Sequence, residues 1–148
     1  MRMEPLQLFH SWPLSEKRLH FRLGHLLNSA AAESAQPSEI GAIGAHHAGC
    51  WECDLADNAL TWSGGVYDIF ALPRGATVSR DDAAAFYTEE SRAAMERLRA
   101  YAIKHKRGFT LDAEIRLPVG APRWMRLIAA PVVEGDRVVR LHGIKLII

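Results

Sequence analysis

From Phe109 onward the sequence changes period, and that change limits the fold more than any other feature. Phe109, Leu111, Ala113, Ile115 and Leu117 alternate with Thr110, Asp112, Glu114 and Arg116, as in a half-buried antiparallel strand. Gly120-Ala121-Pro122 turns the chain into a second strand over 123–133, and Glu134-Gly135-Asp136 turns it into a third over 138–148. Ahead of them, short strand-like runs at 51–55 and 59–62 flank Ala56-Asp57-Asn58, a hairpin turn. Three helical stretches lie between. Ser63 caps a short one carrying Val66, Tyr67, Ile69 and Phe70; Ser79 with Asp82 forms a capping-box pattern opening a second through Phe86. Thr88 starts the longest, which buries Ala94, Met95, Leu98, Tyr101 and Ala102 and ends in a basic run with Gly108 after it. Strands at both ends with helices between predict an α+β domain, a five-stranded antiparallel sheet with helices on one face.

The N-terminal part reads differently. Residues 1–13 show no period. From Ser15, Leu19, Leu23, Leu26 and Leu27 recur at helical spacing, and residues 33–44 mix Ser, Pro and Gly as a linker does. The division expected is a flanking helix and linker over 1–44 and a globular domain over 45–148. The leucine stripe suits two roles, packing on its own domain or pairing with a second copy.

Composition excludes several classes. The chain has 148 residues, 49% apolar and 24% charged, enough for one core without staples. Its 18 basic and 17 acidic residues leave a net charge of +1, without the basic excess of a nucleic-acid or anionic-membrane binder. The N-terminus lacks a signal-peptide core and no apolar run reaches a membrane span, so a cytoplasmic location is expected.

Gly49, Trp51, Asp54 and Leu55, then Leu60, Trp62 and Ser63, then Val66, Tyr67, Ile69 and Phe70, resemble the opening of a PAS domain. The subclass it resembles reads Gly-x-Trp-x-x-Asp-Leu, then Trp-Ser, then a helix ending near Phe-Gly. Phe109, Glu114, Ile115, Arg116, Gly120, Arg123, Trp124, Pro131 and Gly143 match its later half. The resemblance covers about residues 47–148. Two departures stand out: Ala71 replaces the usual glycine after Phe, and Ile147 falls where an Asp-Ile-Thr ending would place aspartate. The resemblance implies a sensory or interaction module without chemistry of its own, set ahead of a histidine kinase or a cyclic-dinucleotide enzyme. It also implies dimerisation through a flanking helix.

On this reading the ligand pocket falls among Tyr67, Phe70, Phe86, Met95, Leu98 and Tyr101, and it should be small and apolar because bulky walls close on themselves. The dimer surface falls on Leu19, Leu23, Leu26 and Leu27 with Trp124 and Ile128, since the strand at 123–133 is apolar on both faces. No cofactor is expected. Flavin-binding relatives carry their reactive cysteine on an Asn-Cys-Arg-Phe-Leu-Gln helix, and haem-binding ones an axial histidine in the middle of the long helix, where Met95 and Leu98 stand here. Cys50 and Cys53, with His46 and His47 near, look like a redox or zinc motif. On a strand, however, residues three apart face opposite ways about 10 Å apart, beyond the ~7 Å a disulfide spans. Glu114, Arg116 and Arg123 are placed for a solvated cross-strand ion pair. The alternative is a small enzyme on a cone-shaped α+β isomerase or hydratase fold, which would need an acid/base residue at its pocket mouth.

Overall fold

Among the described residues the sheet has six strands, not five. A computed structural model describes residues 9–22, 48–118 and 120–148. Its strands are β1 (Phe9–Pro13), β2 (Ala48–Asp54), β3 (Leu60–Trp62), β4 (Arg107–Ile115), β5 (Arg123–Glu134) and β6 (Arg137–Ile147). Every pairing is antiparallel, in the order β1-β4-β5-β6-β2-β3. The helices α1 (Gly64–Ile69), α2 (Arg80–Ala85) and α3 (Glu89–His105) lie between β3 and β4 in the chain. No described helix is long and apolar enough to cross a membrane.

Local signals explain most of these boundaries. In the β2–β3 turn, the carboxylates of Asp54 and Asp57 accept from the backbone N–H of Ala56 and Ala59, and Asn58 takes a left-handed φ of 59°. Ser79 and Asp82 form the full capping box of α2. Thr88 caps α3 by accepting from the Ser91 N–H. The end of α3 departs from expectation: Lys106, not Gly108, takes the left-handed position at φ 56°. Ala71, just after α1, is also left-handed at φ 55°, which explains why glycine suits that place. Ala71→Gly should therefore stabilise the fold by ~1 kcal/mol, read as a higher urea midpoint at unchanged slope.

Each face of the sheet carries a buried cluster. On the inner face, Phe109, Leu111, Ala113 and Ile115 of β4 join Met125, Leu127 and Leu141, and Val66, Ile69, Phe70, Ala94 and Met95 from the helices pack over them. On the outer face a second cluster gathers Trp12, Ile128, Ala130, Ile144 and Leu146, with Leu14 and Phe21 against it. Trp12 comes from residues 9–13, which show no period in the sequence and form β1 along the edge of β4. Trp12 is fully buried and its indole N–H donates to Thr110 Oγ1 at 3.1 Å. Gly108 makes room for it, since a Cβ there would stand 2.0 Å from the indole ring. The strand β4 is thus buried on both sides rather than half-exposed.

After β1 a 3-10 turn (Leu14–Glu16) leads into helix over 17–22. Of the leucine stripe, Leu19 is exposed, whereas Leu23, Leu26 and Leu27 lie outside the described residues. Ile128, assigned to a dimer surface from sequence, is buried within its own chain; Trp124 is half-buried. The expected ion pair of Glu114, Arg116 and Arg123 does not form. Arg123 Nη1 instead donates to the carbonyls of Asp68 and Ile69 at the end of α1, at 3.1 and 2.8 Å. Cross-strand pairs form elsewhere: Arg126 makes two hydrogen bonds of 2.8 and 3.0 Å with the buried Asp112, and Arg140 of β6 lies 3.3 Å from Glu52 of β2.

Candidate functional site

A lysine lies at the centre of the inner face. Strand alternation sends Leu141, Gly143 and Lys145 of β6 inward, and Lys145 is flanked in register by Gly49 of β2 and Leu127 of β5. The same alternation turns Trp51 and Cys53 inward from β2, and Trp62 of β3 pairs with Trp51. Lys145 Nζ lies 5.0 Å from the ring centre of Phe70, 5.5 Å from those of Trp51 and Trp62 and 5.9 Å from that of Tyr87. Four aromatic faces thus surround one ammonium group, an arrangement that favours a cation electrostatically. Stacking fixes the cage: Trp62 and Phe70 lie 5.0 Å apart at 11°, with Phe86 tilted against Phe70 at 5.5 Å.

Among the described residues no carboxylate pairs with Lys145. Burial pulls its pKa down to about 7, opposed by the electrostatic influence of the nearby Cys53. Burial likewise pushes the Cys53 thiol up, against the opposing charge of Arg99. It also holds the Tyr87 phenol well above its ordinary value. Both indole N–H groups of the cage, Trp51 Nε1 and Trp62 Nε1, are buried without a hydrogen-bond partner. Such groups normally find one, so the cage holds unspent donors as well as an unpaired cation.

Beside Lys145 is a cavity of about 60 Å³. Its floor is Trp51, Cys53, Phe109, Leu127 and Leu141 of the sheet, and its roof is Ala83, Ala84, Tyr87 and Met95. Arg80 of α2 and Arg99 of α3 complete the wall. Arg80 pairs with Glu96, and Arg99 Nη2 donates to Asn58 Oδ1 at 3.1 Å. At roughly 10–15 Å³ for each water-sized unit, the space holds a molecule of a few heavy atoms.

Of the six residues expected at the pocket, Met95 lines this cavity and Phe70 belongs to the cage. Tyr67 and Phe86 stand one layer out, against Trp62 and Phe70. Leu98 and Tyr101 do not reach it. They lie on the flank of α3 in a shallow groove with Ser11 and Arg97, and Tyr101 is 47% exposed beside His105. The reason is helical phase: Met95 and Arg99, four apart, share the face over the cavity, and Leu98 and Tyr101 are rotated off it. The wall is also less apolar than expected. Sequence reasoning misses Lys145, Arg80 and Arg99. Cys50 is exposed and Cys53 buried, on opposite faces of β2, while His46 and His47 lie outside the described residues.

No protein-family profile matches the sequence, and no curated protein does. Solved structures do match in fold. The N-terminal domain of a diguanylate cyclase with a PAS/PAC sensor from Marinobacter aquaeolei aligns at TM-score 0.61 and 17% identity, over 68% of this chain and 94% of that one. A sensory box histidine kinase/response regulator from Burkholderia thailandensis aligns at 0.57 and 15%, over 76% and 85%. An RNA-binding light-oxygen-voltage receptor aligns at 0.61 and 14%, over 68% of this chain but only 29% of its own length. Another light-oxygen-voltage domain that aligns, at 0.55 and 19% over 75% and 84%, is described with a flavin analogue. A flavin does not fit the present cavity. Its 60 Å³ is small against the roughly 300 Å³ at which sites for larger organic ligands begin, and both cysteines stand on β2 rather than on a helix. These alignments set the cone-shaped fold aside: this chain has the fold of a PAS domain.

Proposed function

We propose that this chain is a sensory input module that acts by binding rather than catalysis, and that its inner cavity takes a small monocarboxylate. One observation carries the reading: Lys145, with no carboxylate of its own, faces a small cavity whose wall also holds Arg80 and Arg99. Burying a cation without a counter-ion is costly, and a bound anion supplies the missing charge. The rest of the wall is apolar, which suits a short hydrocarbon tail. Fold neighbours from a diguanylate cyclase and a histidine kinase support a place ahead of an effector.

Calorimetric titration of the purified chain with acetate and propionate, and with acetamide as the neutral control, tests this. The acids should bind and acetamide should not. Lys145→Met should abolish acid binding while leaving the fold intact by circular dichroism. Affinity should fall as pH rises through about 7, where Lys145 loses its proton. Acetamide binding as well as acetate, or acid binding unaffected by the substitution, would overturn the reading.

The module is also proposed to pair with a second copy through its N-terminal segment. Leu19 stands exposed there, but Ile128 is occupied by Trp12 of the same chain. The surface offered to a partner is therefore narrower than the leucine pattern implies.

A further inference from the structure

We propose that His10, Glu16 and His20 form a divalent-metal site, for which zinc is the best-suited ion. It lies on the outer side of the sheet and is independent of the inner cavity.

Three local rules bring the residues together. Alternation along β1 puts His10 on the same side as Trp12. Pro13 ends the strand and leads into the 3-10 turn, after which the chain is helical. Glu16 and His20, four apart, then share one face of that helical turn. Packing returns this face to the strand: the His20 ring lies parallel to the buried Trp12 indole, 4.2 Å away at 11°. The His10 ring is 5.6 Å from that of His20.

As a result one imidazole nitrogen from each histidine and one Glu16 oxygen all lie within 4.8 Å of one another. The Glu16 Oε1 to His20 Nε2 distance is already 3.1 Å. Tetrahedral zinc with bonds of about 2.0–2.2 Å needs its ligand atoms about 3.3–3.6 Å apart. Glu16 and His20 stand a few tenths of an ångström inside that spacing, and a side-chain rotation of the exposed His10 brings in the third ligand. A hydrogen-bonded Glu–His pair uses only two of these groups. A divalent cation uses all three, with water at the fourth position. Two imidazoles and a carboxylate are borderline donors that suit zinc, cobalt or nickel over magnesium or calcium.

The site would tie β1 to the helical turn that follows it, so metal occupancy would govern how firmly this strap lies on the sheet. This gives the module a second input, on the face opposite the first.

The test uses the full chain, freed of metal by a chelator, and equilibrium dialysis against zinc. One zinc per chain is expected, with a rise in melting temperature on loading, and cobalt should give the strong visible absorption of a tetrahedral site. His10→Ala leaves Trp12 packed and should weaken binding by about tenfold or more, with the thermal shift lost. Glu16→Gln should do the same. The control variant, His46→Gln with His47→Gln and Cys50→Ser, should bind as the parent does. Unchanged zinc affinity in His10→Ala, no zinc bound to the parent, or loss of binding in the control would each overturn the proposal.

Discussion

Lys145→Met is expected to stabilise the chain by on the order of 3–5 kcal/mol at acid and neutral pH, and to lose that gain as the medium becomes alkaline. In the unfolded chain Lys145 titrates at the ordinary 10.5; in the fold it titrates at about 7. Below pH 7 both states carry the proton, so folding bears the full cost of burying the charge. Between 7 and 10.5 the unfolded state holds a proton that the folded state has released, and stability climbs with pH. Methionine fills nearly the same volume without charge. Its advantage should be largest below pH 7 and vanish above 10.5. The aromatic cage refunds part of the cost, which sets the lower end of the range. Denaturant midpoints across this pH range measure it, and a gain independent of pH would mean that Lys145 is not buried as a cation.

The second large effect belongs to the outer face. Trp12→Ala should cost ~3–5 kcal/mol, because it empties the middle of the cluster with Ile128, Ala130, Ile144 and Leu146. It also leaves the Thr110 hydroxyl without its indole donor. Trp12→Phe keeps most of the packing and loses only that hydrogen bond, so it should cost ~1 kcal/mol plus a small packing term. Guanidinium unfolding followed by far-UV circular dichroism separates the two. A loss under ~1 kcal/mol for the alanine variant would mean that β1 adds nothing to the sheet.

The legible parts of this fold were those with local causes. The alternation from Phe109 gave β4, the turns at Gly120 and Gly135 placed β5 and β6, and Ser79 with Asp82 marked a helix start that the capping box realises. Strand β1 was illegible because its five residues carry no alternation that stands out. What makes Phe9–Pro13 a strand is the free edge of β4 and the bare Gly108 under Trp12, both far along the sequence. The site was half legible. Helical phase put Met95 over the sheet, but the same reasoning spread the pocket to Leu98 and Tyr101 by treating all bulky residues of α3 as equivalent. Lys145 was missed because the pattern around it is apolar, and a charged residue there reads as an outward one. Only the register with Gly49 and Leu127 turns it inward.

The outer cluster also sets an order of assembly. Trp12 meets Thr110 98 residues further along the chain. On a ribosome, β1 emerges well before its partner strand β4. Until β4 is made and has left the exit tunnel, Trp12 has no sheet to lie on. Because β1 is an edge strand paired on one side only, it docks onto a sheet whose other five strands can already pair among themselves. For the same reason it can come away from that sheet alone, without breaking the other pairings.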